Sequence, residues 1–480
     1  MRKLFVVNLS ILLSSFSFSQ NITGNWLGNI EVNGQQIPIV FHFYKDSTGR
    51  LLGKWDSPSQ NANNLPCSDI TINRDSVTIG LQIISGFYNG KFITPDSISG
   101  MWHQGNGRLA LNISKTNETS FQPPKRPQTP RPPFNYLSED VVYSNAGNSM
   151  RYGATFTVPG SAGVVSHDKK YPAVLLITGS GKQDRDENIF DHKPFAVIAD
   201  YLTKRGIAVL RVDDRGMGQT TGIFDTSSSE DFANDVEAGI QYLLSRKDVD
   251  PKHIGLVGHS EGGMIAPMVA VRDKNISFIV LLAGPGVPGS VINDYQNAQP
   301  MENAGLDKAV VKKFLDLHHA LTKVAISFVN EDEYKNEVSK VYYDWKKKQS
   351  SETLNAVIKG TDEQAVASLQ KKYFLIHSKW WKFFLTHDPA IDLEKLSIPV
   401  LALNGEKDIQ VDPKLNLPVI EAALKKSNSK NYKIIELPGL NHLFQHCKKC
   451  SIEEYGELEE TFAPEALKIM GDWIESVIKK

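Results

Sequence analysis

From about residue 136 onward the chain repeats one pattern, an unbroken apolar run of strand length followed by an amphipathic stretch of helical period. The runs fall at 171–177, 207–212, 253–257, 278–282, 399–403 and 432–435. A strand that is apolar at every position must be covered on both faces, which is the situation of a parallel sheet flanked by helices. Between the runs, Phe232, Val236, Ile240 and Leu243 form one stripe of a helix, entered through Ser227, Ser228 and Ser229 as caps. The pattern predicts a doubly wound α/β sheet over 136–480. About a hundred residues of helical pattern, near 290–390, interrupt the alternation and are expected to form a cap over the carboxyl ends of the strands, where open α/β sheets bind ligands. Val311 to Leu321 and the run from Trp380 to Phe384 belong to it, with Trp380 and Trp381 expected in the cap's own core.

The first part of the chain has a different texture. Over 20–118, short runs of period two (37–43, 51–55, 76–81, 108–113) alternate with Gly, Asn, Asp and Ser. That spacing predicts a small antiparallel β-sandwich or barrel. Gly24, Trp26 and Gly28 at its start resemble the first-strand Gly-x-Trp of lipocalin-like domains. Pro123, Pro124, Pro127, Pro130, Pro132 and Pro133 make 119–135 a stiff extended linker between the two textures. Ahead of both, Arg2 and Lys3, the largely apolar stretch from Leu4 to Phe18, and small residues at Ser17 and Ser19 read as an export signal over 1–19 cut before Gln20. The mature protein is therefore expected in the periplasm or outside the cell. No later apolar run approaches the ~20 residues that span a bilayer.

Charge narrows the function. Lys plus Arg (53) balances Asp plus Glu (54), a net charge of −1, with none of the basic excess expected of a nucleic-acid binder. Three cysteines cannot build a disulfide framework for 480 residues. Cys447 and Cys450 are read as a short local disulfide or two free thiols, since no full zinc ligand set accompanies them even with His446 nearby.

Gly258-His259-Ser260-Glu261-Gly262 follows the run at 253–257 directly and precedes an apolar helical stretch. Strand, sharp turn and helix hold a serine hydroxyl exposed above a sheet, and glycines flank it because side chains there would collide with neighbouring elements. A serine needs a base to take its proton. His442 lies in the loop after the last strand and can reach across to Ser260, whereas His259 is expected to be structural. An imidazole in that role needs a carboxylate; Asp408 is the choice, with Glu406 and Asp412 close enough to remain open on spacing alone. The backbone amide of Glu261 supplies one oxyanion donor, and a second is expected from the small-residue loop at 178–187. That loop lacks the Gly-Lys-Ser/Thr ending of a phosphate loop.

Together, Thr178-Gly179-Ser180-Gly181 with Asp184-Arg185-Asp186, Asp213-Asp214-Arg215-Gly216-x-Gly218, Gly258 to Gly263, Asn404-Gly405-x-x-Asp408 and Leu440-Asn441-His442 resemble, in order, the motifs of α/β-hydrolases of the bacterial esterase and serine-aminopeptidase-like (S33-type) branch. The resemblance covers 136–480 and implies that fold, a Ser260–His442–Asp408 triad and the Ser180 amide as second oxyanion donor. Thr178 stands where relatives more often carry histidine.

The expected function is hydrolysis of small-molecule carboxylic esters through an acyl-enzyme, with no cofactor and no metal. An aminopeptidase or amidase would use the same triad and would need an acid to hold the substrate's amino end, for which Glu331, Asp332 and Glu333 in the cap are candidates. A reading from another class is a lipid- or glycan-binding protein with an inert hydrolase domain.

Overall fold

The computed structural model describes residues 21–479 apart from 33–34, 47, 61, 106, 118–124 and 161–168. The export signal at 1–19 and the cut before Gln20 lie outside the described residues, as do Pro123 and Pro124. Two compact units divide at Lys125 and Arg126.

In the first unit, strands β1 (Gly24–Val32), β2 (Gln35–Lys45), β3 (Leu51–Ser57), β4 (Ala62–Pro66), β5 (Ile70–Asn73), β6 (Ser76–Leu81), β7 (Gly86–Thr94), β8 (Ser97–Gln104) and β9 (Gly107–Thr116) make one antiparallel sheet in the order β4-β3-β2-β1-β9-β8-β7-β6-β5. Period-two alternation sends Trp26, Phe41, Trp55, Tyr88, Trp102 and Leu111 into a single core. Trp55 and Trp102 meet edge to face at 5.4 Å between ring centroids. The large aromatic groups need glycine partners: a Cβ on Gly100 would lie 2.5 Å from the Tyr88 hydroxyl.

The second unit begins before its first strand. The Arg126 guanidinium donates to the carbonyls of Phe190, Gly456 and Leu458, and the Gln128 side chain bonds Thr461 and Phe462. The proline-rich stretch from Arg126 on is thus tied to the α/β unit by hydrogen bonds, and proline stiffness is only part of what shapes it.

The sheet of this unit runs β10 (Leu137–Ser144), β11 (Arg151–Val158), β13 (Ala208–Val212), β12 (Tyr171–Ile177), β14 (Val249–His259), β15 (Ile276–Leu282), β16 (Val400–Gly405) and β17 (Tyr432–Leu437). β10 and β11 pair antiparallel with their neighbours, and the strands from β13 to β17 are parallel. This is the α/β-hydrolase sheet. Alternate residues serve two cores: Ala173, Leu175 and Ile177 face helices α2 (Ser229–Ser245) and α3 (Glu261–Arg272), while Val174 and Leu176 face α1 (Pro194–Lys204) and the C-terminal helix at 464–478. Ser228 caps α2 in a capping box with Asp231. Because β12 lies between β13 and β14, the chain reverses its winding there, and the crevice beyond the ends of β12 and β14 is the switch point where such sheets bind ligands.

Between β15 and β16 the chain leaves the sheet for a helical cap made of α4 (Gly289–Asn303), α5 (Lys308–Ser327), α6 (Glu331–Lys346), α7 (Ser351–Val357), α8 (Asp362–Phe374), α9 (Lys379–Thr386) and α10 (Pro389–Leu393). It has its own core around Leu321, Tyr334, Val338, Trp345 and Tyr373. Among the described residues, no helix is long and apolar enough to cross a membrane.

Candidate active site

Ser260 sits between β14 and α3 at φ 51°, ψ −118°, a backbone conformation costly for a residue with a Cβ. Crowding around the turn holds it. A Cβ on Gly258 would stand 2.0 Å from the Gly262 carbonyl oxygen, and one on Gly262 would stand 2.2 Å from that of Ile177. The turn is closed by Ser260 N–H donating to Leu282 O at 2.8 Å and Gly263 N–H donating to Ser260 O at 2.8 Å.

The loop after β12 lies against the serine: a Cβ on Gly179 would be 3.2 Å from Ser260 Cβ. The Gly179 amide is already used, donating to Glu187 Oε1 at 2.6 Å, while the Ser180 amide has no acceptor among the described residues. The loop is fixed by the turn after β13. Thr178 Oγ1 and the Gln183 amide donate to Asp214 at 2.8 and 2.7 Å, and Arg185 is bidentate on Asp213 at 3.0 and 2.6 Å. Arg215 turns the other way, onto Asp235 of α2 at 2.6 Å. Gly218 permits the turn at φ 49°, where a Cβ would meet Asp213 Oδ2 at 2.2 Å.

His442 and Asp408 are both buried, with His442 Nδ1 at 2.8 Å from Asp408 Oδ2. Asp408 accepts further hydrogen bonds from Asn404 Nδ2 (3.0 Å) and the amides of Gln410 (2.8 Å) and Val411 (2.9 Å), so both its oxygens are fixed. The competing acids serve elsewhere. Glu406 is on the surface and accepts from the Gly439 amide at 3.0 Å, and Asp412 caps helix α11 (Pro413–Lys426) through the Leu415 amide at 2.8 Å. The His442 loop is folded about Asn441, whose Oδ1 accepts from the amides of Leu443 and Gln445 at 3.0 and 2.9 Å.

His259 is the link between these parts. Its Nδ1 lies 3.0 Å from Glu187 Oε1, its Nε2 lies 3.0 Å from the carbonyl oxygen of His442, and the two imidazoles sit 4.8 Å apart between centroids. Beside Ser260 a cleft is lined by Thr178, Gly179, Asp214, Phe224, Phe232, Glu261 and Ile265. Burial pushes Asp214 up to about 7, with the nearby Glu261 and Glu187 adding to the rise. Burial likewise raises Glu261, whose Oε1 accepts from Ser229 Oγ (2.6 Å) and Trp380 Nε1 (2.8 Å).

The two cap tryptophans therefore part company. Trp381 packs at the edge of the cap core as expected, but Trp380 reaches down to the residue after the serine, because a buried carboxylate requires donors and the indole N–H supplies one. Glu331, Asp332 and Glu333 lie exposed on the first turn of α6, where they suit the helix dipole. Cys447 and Cys450 form a disulfide, which occupies both sulfurs of the Cys447, Cys450 and Glu454 group. Glu187, Asp214, the Glu261 carboxylate and Trp380 escape sequence reasoning. Glu187 ends the small-residue loop at 178–187 and Asp214 lies in the Asp213-Asp214-Arg215 motif; an acid inside such a loop and another next to a strand end were the available signal.

The serine aminopeptidase (S33) family matches residues 192–446, more than half of the chain, and the chain belongs to it. It is 28% identical over 287 residues to esterase EstD of Thermotoga maritima, a match covering 60% of this chain and 58% of that protein. It is 27% identical over 245 residues to the bifunctional esterase/perhydrolase DCH of Acinetobacter calcoaceticus, covering 50% of this chain and 77% of that protein. The chain therefore spans less than two thirds of EstD. Among solved structures, Est1E from Butyrivibrio proteoclasticus aligns over 71% of this chain and 99% of its own at 14% identity and a TM-score of 0.38.

Proposed function

We propose that the protein is an exported serine hydrolase that cleaves small-molecule carboxylic esters through an acyl-enzyme. Ser260 Oγ attacks the ester carbonyl carbon while His442 Nε2 takes its proton. The imidazolium then protonates the leaving alcohol, and water attacks the acyl-enzyme by the same route in reverse. Asp408 holds Nδ1–H of His442 and balances its charge. The Ser180 and Glu261 amides receive the developing oxyanion, aided by the N-terminus of α3. The observation that carries the reading is the buried 2.8 Å bond between His442 Nδ1 and Asp408 Oδ2, whose partner loop is tied to the residue before a strained serine. The esterase names of EstD and DCH support ester over amide cleavage.

The test compares p-nitrophenyl acyl esters of rising chain length with aminoacyl p-nitroanilides. Turnover of the esters is expected; turnover of the anilides alone would make the protein an aminopeptidase. A fluorophosphonate should label the wild type and spare Ser260→Ala, whose kcat should fall by about 10⁶-fold. An unlabelled wild type would point instead to a lipid- or glycan-binding protein. Export is tested by N-terminal sequencing of the mature chain, expected to start at Gln20.

A further inference from the structure

We infer that Glu187 and His259 are positioning residues, forming a buried brace that sets the oxyanion loop and the catalytic-histidine loop at a fixed distance on either side of Ser260. The inference rests on the hydrolase reading above. Glu187 Oε1 accepts from the Gly179 amide at 2.6 Å and faces His259 Nδ1 at 3.0 Å, and His259 Nε2 faces the His442 carbonyl at 3.0 Å. The 178–187 loop, the end of strand β14 and the loop of His442, distant in the chain, are thus joined through two side chains, both buried.

The donors follow from the acceptors. A carbonyl oxygen only accepts, so His259 Nε2 carries a hydrogen; the Glu187 carboxylate only accepts, so Nδ1 carries one as well. The brace is then an imidazolium–carboxylate pair with two charge-assisted hydrogen bonds. Burial opposes the positive charge on His259, but Glu187, then the His442 carbonyl and Asp408, together outweigh it, and its pKa is raised. The groups of other elements around the imidazole are His442 and Asp408 on the catalytic side and the apolar Phe195, Ile198, Leu282 and Phe462 beneath. A charged pair over an apolar floor has one low-energy arrangement, because either partner displaced would be a buried charge without its counterion.

What the brace sets is the place of the Ser180 amide. With the Gly179 amide held down by Glu187, the next amide in the chain is left for the substrate oxygen. Misplacing such a donor slows the chemical step and leaves substrate binding nearly as it was.

The experiment measures kcat and KM for a p-nitrophenyl ester, together with Tm, for full-length wild type, Ser260→Ala, Glu187→Ala, Glu187→Gln and His259→Gln. Activity of the wild type that is lost in Ser260→Ala establishes the hydrolase; a wild type without activity sinks that reading and not the brace alone. On an active background, Glu187→Ala is expected to lose about 100-fold in kcat with KM within about threefold, the size of a lost oxyanion donor. Glu187→Gln keeps an acceptor for the Gly179 amide and should recover about tenfold of that loss. Should Glu187→Ala fail to fold, His259→Gln decides by the same measure. A folded Glu187→Ala or His259→Gln variant with wild-type kcat, or one whose loss lies wholly in KM, would overturn the brace.

Discussion

Ser260 and His442 are held by different means on the two sides of one crevice. On the serine side the backbone does the holding. Ser260 is forced to φ 51° between β14 and α3, and the space around it is closed by glycines whose missing side chains would sit 2.0 to 2.2 Å from carbonyl oxygens. On the histidine side the backbone is an ordinary loop and side chains do the holding: Asp408 on Nδ1, Asn404 on Asp408, and Asn441 folding the turn. A nucleophile that must strike from one direction gains from strain held in the backbone torsions. An acid–base group that becomes charged and neutral again in each half of the cycle gains from partners that answer its charge.

The contrast is broken most severely at Asp408. Asp408→Asn should lower kcat by about 10⁴-fold, because an amide neither selects the Nδ1–H tautomer nor balances the imidazolium. The fold should survive, since the β16 strand is set by the sheet and not by this side chain. Steady-state kinetics with a thermal melt checks both halves of the claim. Glu406→Gln and Asp412→Asn sharpen it: Glu406 is on the surface and Asp412 caps α11, so neither should cost more than about tenfold in kcat.

How far the site was readable beforehand follows the same division. The serine side is local in sequence. Strand, glycine, serine, glycine and helix are consecutive, and the sterics that require them act over five residues, so the motif is visible as text. The strands themselves were legible because burial on both faces leaves no polar position, as in Val174 to Ile177. His442 and Asp408 were legible by their place after strand ends, but the preference for Asp408 over Glu406 and Asp412 becomes physical only when Gln410 and Val411 are seen to turn their amides onto it. Trp380 and Glu187 were not legible in their roles. Their partners lie 119 and 72 residues away, and nothing in the local pattern distinguishes an indole aimed at a distant carboxylate from one filling a helical core.

Trp380 tests whether the cap shares in either kind of holding. Trp380→Phe keeps the ring stacked on Phe384, 5.0 Å away between centroids, and deletes the N–H that meets Glu261. Glu261 retains Ser229 Oγ as a donor. The expected result is a rise in KM of about fivefold with kcat within about threefold, since one hydrogen bond to a buried carboxylate joins cap to core and the serine's own geometry does not depend on it. A fall in kcat with KM unchanged would assign the cap to the chemical step.

The smallest expected effect concerns the carboxyl that ties the two turns of the serine side together. Asp214 has a folded pKa of about 7, raised first by burial and then by Glu261 and Glu187, against 3.8 for the free side chain. In the pH range between those values the folded protein keeps a proton that the unfolded chain has released. Stability from this group is therefore fully present below about pH 4, declines as pH rises, and is lost once pH passes about 7. Asp214→Asn carries no titrating proton, so its melting temperature relative to wild type should climb steadily from pH 4 to pH 7.5, by roughly a few degrees. The offset between the two proteins at pH 4 reports the Gln183 hydrogen bond, since an amide that still accepts from Thr178 presents its N–H₂ to the Gln183 amide. Paired melts across that range separate the two terms. A constant difference would mean that Asp214 is ionised throughout and that the serine side, like the histidine side, is held by a fixed charge.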